Sequence, residues 1–296
     1  MRHGTRGPAI DGGRRGGGAL AAAAVISLAT DTHRYPEALA RLLASLDRVR
    51  FAGKVLSWGP GSFPAGCPSH EEVPFAFKPY CFQAARARGL QLALWLDASC
   101  VVVRDLDALF GAIRERGYLL FRNQDHRVGE WASDEALAVF ALGREEALQI
   151  PEIDAAALGL DLLHPLGREF FERWHAAAVD GVAFRGTREP LRSPQDYGDV
   201  KWNRAQRVSS DPRVRGHRHD QTVAGLLAHR LGMTPTPVGL QKYSRRLRRI
   251  RWRTVVVVDR DVGRSRIPLR SVGQIRRDRY LGALARLLIA LGRGGG

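Results

Sequence analysis

Leu92-Ala-Leu-Trp-Leu-Asp-Ala-Ser-Cys-Val-Val-Val103 is the stretch on which the fold turns. Leu92–Leu96 is a continuous apolar run without helical spacing. It reads as a strand covered on both faces, as in a parallel sheet sandwiched by helices. Asp97 is the first polar residue past its end, and Cys100–Val103 reads as a second short strand. Upstream, Pro79 opens a helix over Tyr80–Arg88 that Gly89 ends. Further back, Val25–Thr30 is a second short apolar run, and Pro36 opens a helix with Leu39, Leu42, Leu43 and Leu46 on one face. Lys54–Trp58 follows as a strand, and Gly59–Pro74, with four prolines and three glycines, as loop.

Downstream of the opening stretch, Leu106–Arg116 reads as a helix ended by Gly117 and Tyr118–Phe121 as a strand. Ser133 caps a helix over Asp134–Leu142. Ile153–Leu163 is apolar without a clear period, and Gly167–Val179 is an amphipathic helix. Phe184–Gly216 is polar and irregular and reads as one long loop. His219–Leu231 is a helix ended by Gly232, Thr254–Val258 a last strand, and Tyr280–Leu291 a terminal amphipathic helix. Strand and helix alternate through the first 120 residues or so, which calls for a parallel sheet with helices on both faces. Ligands of such sheets bind beyond the C-terminal strand ends, where Asp97 lies.

The chain has 296 residues and a formal charge of +16, but only four of its 46 basic residues are lysines. The excess is local: Ser244–Tyr280 holds thirteen Arg against three Asp. Total charge invites a nucleic-acid partner, yet no nucleic-acid fold motif accompanies it, so that partner ranks last. Ser244–Arg253 interleaves arginine with Leu, Ile and Trp, a pattern suited to an anionic membrane surface or to a solvated helix. No apolar run is long enough to span a bilayer. Three cysteines, Cys67, Cys81 and Cys100, match no metal-ligand spacing and no disulfide framework, so a cytoplasmic, reducing setting is expected, with peripheral membrane contact through the tail. Four arginines before Ala19–Ala29 resemble a short signal peptide. A capped helix follows without a cleavage site, so 1–18 reads instead as a disordered Gly/Arg leader, 19–243 as the folded domain and 244–296 as a basic extension.

The chemistry-bearing segments are four. A carboxylate leaving a buried strand, Asp97, suits either a divalent cation or ribose hydroxyl, or else caps its own turn. His217 and His219, two apart, would face one side of an extended segment as a metal pair or phosphate contact, or lie in a solvated basic loop. Glu130-Trp131-Ala-Ser-Asp134 combines an aromatic ring with flanking carboxylates. That suits sugar binding, with Glu130 or Asp134 as base on a hydroxyl, or simply a helix cap beside a half-buried Trp. Asp196-Tyr197 and Lys201-Trp202-Asn203 suit a lid over an acceptor.

Lys78-Pro79, a helix, then Trp95-Leu96-Asp97-Ala98-Ser99 resembles the region around the Asp-x-Asp motif of GT-A nucleotide-diphosphosugar glycosyltransferases. Asp220-Gln221, opening a helix, resembles a segment that such enzymes place near the donor sugar, and Thr30 matches the strand contacting the nucleotide. The likeness spans about residues 23–238. It implies a single-domain, GT-A-like mixed, mostly parallel sheet flanked by helices, and a glycosyltransferase moving sugar from a nucleotide-diphosphate donor to an acceptor hydroxyl, as in envelope or surface glycan synthesis. Donor contacts would come from Thr30, Lys78, Asp97, Ser99 and Trp131, and catalytic groups from Glu130, Asp134, Asp220 and Gln221. Mn²⁺ or Mg²⁺ would be held by Asp97 with His219 or Asp220. Ser99 departs from the motif, because serine is a poor ligand where the family has a second Asp. That leaves three readings: metal bound through other partners, arginines neutralising the diphosphate without metal, or an inactive module that binds a glycan or protein.

Overall fold

A computed structural model of the chain describes residues 22–32, 34–242 and 253–259. The expected leader at 1–18, most of the arginine-rich Ser244–Arg253 segment and the helix at Tyr280–Leu291 lie outside the described residues. The elements in chain order are β1 (Ala23–Leu28), α1 (Tyr35–Arg48), β2 (Lys54–Trp58), α2 (Phe77–Ala87), β3 (Leu92–Leu96), β4 (Cys100–Val102), α3 (Asp107–Arg116) and β5 (Tyr118–Arg127). They continue with α4 (Asp134–Val139), α5 (Arg144–Ala147), β6 (Pro151–Asp161), α6 (Pro165–Asp180), α7 (Val182–Arg185), α8 (Pro194–Trp202), α9 (His219–Arg230), β7 (Leu240–Lys242) and β8 (Val256–Val258).

The main sheet has the order β2-β1-β3-β6-β5. β1 pairs in parallel with both β2 and β3, while β6 runs antiparallel between β3 and β5. Four of the five strands therefore share one direction, and the sheet is mixed and mostly parallel, flanked by helices within one domain. Alternate residues of the central strands feed two cores, which is why their sequences are apolar throughout. Val25, Leu94 and Leu96 pack with Leu42 and Leu46 of α1 and Leu109 and Ile113 of α3. Ile26, Ala93 and Trp95 pack on the opposite face with Phe82 of α2, Phe170 and Trp174 of α6 and Val223 of α9. The path from β1 to β2 and back across to β3 makes a switch point between β1 and β3, where a crevice opens at their C-terminal ends.

A second, three-stranded sheet has the order β4-β8-β7. The late strand β8, inside the stretch expected as an extension, pairs antiparallel with β4, Cys100 opposite Val258, and parallel with β7. Arg41 of α1 clasps its end, with Nη1 2.6 Å from Asp259 Oδ2, and Asp259 N donates to Ser99 O at 2.9 Å.

Three expectations need correction. The apolar stretch at 153–163 is an eleven-residue strand beginning at Pro151. The helix expected over 134–142 stops at Val139, and Ala141 takes a left-handed φ of 49°. The supposed loop 184–216 contains α8, whose signal is local: Ser193 accepts from Asp196 N as cap, and Pro194 takes the first turn.

Candidate functional site

Two adjoining cavities open at the C-terminal ends of β1 and β3. The first, about 290 Å³, is walled by the rings of His70, Phe75, Phe77, Trp95 and Tyr197, with Thr30, Thr32, Glu71 and Asp97 at its polar points. The second, about 190 Å³, is polar, lined by Lys78, Asp97, Asn123, Asp154, Arg218, Asp220, Gln221 and Lys242, with Trp202 at α8's end. Phe75, Asp97 and Lys201 line both.

Lys78 organises the junction. Carried in the first turn of α2 and buried, its Nζ lies 3.0 Å from Asp97 Oδ1, 2.8 Å from Asp220 Oδ2 and 2.8 Å from Ala155 O. The two carboxylates that the sequence places 123 residues apart thus share one ammonium. Burial alone would favour neutral lysine, but the paired carboxylates outweigh it and hold Lys78 charged, above its ordinary pKa. Burial pushes Asp220 up to about 6 despite that ammonium. Asp97 is additionally fixed by Trp95 Nε1, which donates to Oδ1 at 2.8 Å, and its side chain keeps 29% of its surface exposed.

A second buried carboxylate stands behind the polar cavity. Glu152 accepts from Asn123 Nδ2 at 2.6 Å and from Arg218 Nη1 at 2.5 Å. Burial raises it to about 7, against the pull of Arg218, Asn123, Gln221 and Lys242. Lys242 in turn lies 2.9 Å from Asp154 Oδ2 and 2.5 Å from Asn123 Oδ1. None of Asn123, Glu152, Asp154, Lys242 or His70 was a candidate from sequence. The acidic pair Glu152-x-Asp154, alternating at the head of a strand, was the available signal.

Phe75 and His219 hold left-handed backbone, φ 62° and 46°, unusual for such side chains, and their rings meet 5.7 Å apart between the cavities. His219 stacks on Tyr197 at 5.1 Å and hydrogen-bonds Phe184 O through Nδ1. His217 accepts from Ser133 N at Nδ1 and meets Ala183 O at Nε2, which fixes the neutral ring. Burial lowers His217 to about 4 and His219 well below its ordinary value. Neither is in a solvated loop; both pin α7 beneath α9.

Of the residues expected in the site, Thr30, Lys78, Asp97, His219, Asp220 and Gln221 come together. Ser99 is buried and lines neither cavity; its carbonyl receives β8's end. Glu130, Asp134 and Trp131 also line neither. Glu130 accepts from Arg127 N and pairs with Arg215, Asp134 pairs with Arg144, and Trp131 is buried under Arg218, whose guanidinium carbon is 3.6 Å from the ring centre. Among the described residues no three His, Cys, Asp or Glu side chains gather to hold a metal, and Asp97 already faces an ammonium.

No protein family and no curated protein matches the chain. Among solved structures it is similar to apo mouse xyloside xylosyltransferase 1, with 10% identity, 80% of this chain and 97% of that one covered and a TM-score of 0.43. It is also similar to a glycosyltransferase involved in glycosylation of the PBCV-1 major capsid, with 11% identity, coverage of 87% and 98% and a TM-score of 0.36. A third is the galactosyltransferase LgtC in complex with donor and acceptor sugar analogs, at 12% identity, coverage of 88% and 95% and a TM-score of 0.35.

Proposed function

We propose that the chain is a glycosyltransferase that moves a sugar from a nucleoside-diphosphate donor to an acceptor hydroxyl. The observation carrying this reading is the pair of cavities joined at Asp97 and Lys201: one aromatic, the other lined by carboxylates, amides and cations. A nucleobase suits the first, stacked among His70, Phe75 and Tyr197, with ribose near Thr30 and Asp97. The diphosphate then falls at the junction, and the sugar in the second cavity against Asp154, Asp220 and Gln221. The charge developing on the departing diphosphate is the main thing to stabilise. Lys201, Arg218 and Lys242 supply cations around that point. Lys78 keeps Asp97 and Asp220 fixed without itself facing solvent. On this reading the diphosphate is neutralised by side chains, and a divalent cation would be dispensable.

Cytoplasmic placement, and contact with an anionic membrane through the arginine-rich 244–253 stretch, belong to the same proposal. Among the described residues no helix is long and apolar enough to cross a membrane.

The test is a thermal-shift panel with UDP, GDP, CDP and dTDP, each with Mn²⁺ or with EDTA, followed by donor hydrolysis. One nucleotide should raise Tm equally in both conditions, by an amount set by its affinity, and Asp97→Asn should abolish the rise. A shift appearing only with Mn²⁺ refutes the metal-free arrangement. A flat panel refutes the donor site. A shift without donor turnover points to the second reading, an inactive binding module, which the burial of Ser99 outside the cavities favours.

A further inference from the structure

Among the described residues, two polar groups of the aromatic cavity have no partner, and they are neighbours in sequence. Thr30 and Thr32, which also line it, bond each other through their hydroxyls at 2.7 Å, and Asp97 is held by Lys78 and Trp95. Lys201 stands over the rings of Tyr197 and Trp202, at 5.9 and 5.7 Å. His70 and Glu71 differ. His70 Nδ1 accepts from Phe75 N at 3.1 Å, and burial, helped by the charges of Lys78 and Lys201, lowers the ring to about 4. The imidazole is therefore neutral, with its one proton on Nε2. That N–H meets no acceptor among the described residues, and the Glu71 carboxylate, exposed and lining the same cavity, makes no hydrogen bond or ion pair. The His70 ring stands at 89° to that of Phe75, 4.7 Å between centres. A base lying flat on Phe75 is then not also flat on His70, and the imidazole is left to act through its nitrogen.

One N–H beside one carboxylate calls for an acceptor beside donors on the edge of the base. A carboxylate only accepts, through two oxygens, and binds best to two parallel N–H groups. Guanine carries these side by side, N1–H and the N2 amine, with O6 next in line for the His70 N–H. Uracil and thymine flank a single N–H with two carbonyls. Cytosine and adenine offer one amine with a ring-nitrogen lone pair beside it. In all four a lone pair is set against the second carboxylate oxygen, which repels it.

We infer that His70 and Glu71 select guanine, so that the donor is a guanosine-diphosphate sugar. The inference rests on the aromatic cavity being the nucleotide site of the transferase reading, and adds which base it takes. The test is titration calorimetry on the full chain with GDP, UDP, CDP, dTDP and ADP, together with two edge analogues of GDP. Inosine diphosphate lacks the N2 amine, and xanthosine diphosphate has a carbonyl in its place. Wild type and Glu71→Gln are compared. Glu71 is exposed and unpaired, so the substitution takes nothing from the core, and the Tm without ligand should match wild type.

Wild type should bind GDP at least about tenfold tighter than the other natural nucleotides, and about tenfold tighter than inosine diphosphate. Glu71→Gln should lose about tenfold for GDP and gain about as much for xanthosine diphosphate, since the amide oxygen still accepts from N1–H while its NH₂ donates to the carbonyl at C2. A merely structural role for Glu71 would not exchange one preference for the other. Preference for a different base overturns the inference and leaves the nucleotide site standing. So does inosine diphosphate binding as tightly as GDP, or GDP affinity unmoved in Glu71→Gln. Binding of none of them removes the nucleotide site itself, and the base selection with it.

Discussion

Glu152 shows how much the site costs the fold. In the unfolded chain its carboxyl has the ordinary value of 4.5, and in the fold about 7. Between those values the unfolded chain gives up its proton first, so stability falls as pH rises and the penalty is complete above about 7. It amounts to about 3 kcal/mol. Asp220 adds a penalty of the same sign between 3.8 and about 6. Glu152→Gln removes the first of these while keeping the side chain's size and one acceptor for Arg218. Its stability relative to wild type should climb by about 2–3 kcal/mol from pH 5 to pH 8 in urea unfolding. A constant difference across that range would mean that Glu152 is not protonated in the folded state at acid pH. The same residue explains part of what the sequence concealed. Nothing in the string Pro151-Glu-Ile-Asp154 tells of Arg218 waiting 66 residues on. Asp97 and Asp220, by contrast, stood out because each ends or begins an element, and their meeting on Lys78 follows from where β3 ends and α9 begins.

At the scale of elements, α8 carries the most function for its size. Its nine residues set Tyr197 in one cavity, Trp202 in the other and Lys201 in both. Gly216→Ala would drive a methyl into Lys201 O, a backbone atom that cannot rotate away. Overpacking of this kind costs about 1–3 kcal/mol, and here α8 is the part that yields. Nucleotide affinity, read by titration calorimetry, should therefore weaken about tenfold while the core unfolds near the wild-type Tm. An unchanged affinity would show that α8 does not position the site. This helix was illegible in advance because its amphipathic signal is slight: Val200 is its one buried residue, and Gly198 interrupts it. The central strands were plain for the opposite reason, since burial on both faces leaves no polar residue in Leu92–Leu96. The reversal of β6 was not legible either, because an apolar strand reads alike in both directions.

The whole molecule depends on a late piece of chain. Val257 is fully buried against Val101 and Val103, and its neighbours in β8 hold β4, which leaves Asp97, to β7, which brings Lys242. Val257→Asp would place an unpaired carboxylate there. It should cost several kcal/mol, seen as a large fall in Tm, and erase the nucleotide-induced shift. Retention of that shift would mean that the small sheet is dispensable for the site.

The pairing of Cys100 with Val258 also sets a timetable. A ribosome delivers residues in order, and the five strands of the main sheet emerge long before 256–258. For that interval a nascent chain has its central sheet and both carboxylates, but not the strand that ties β4 to β7. Among the described residues the small sheet is thus the last part to be finished, and until then β4, which follows Asp97, and β7, which carries Lys242, are not yet tied together.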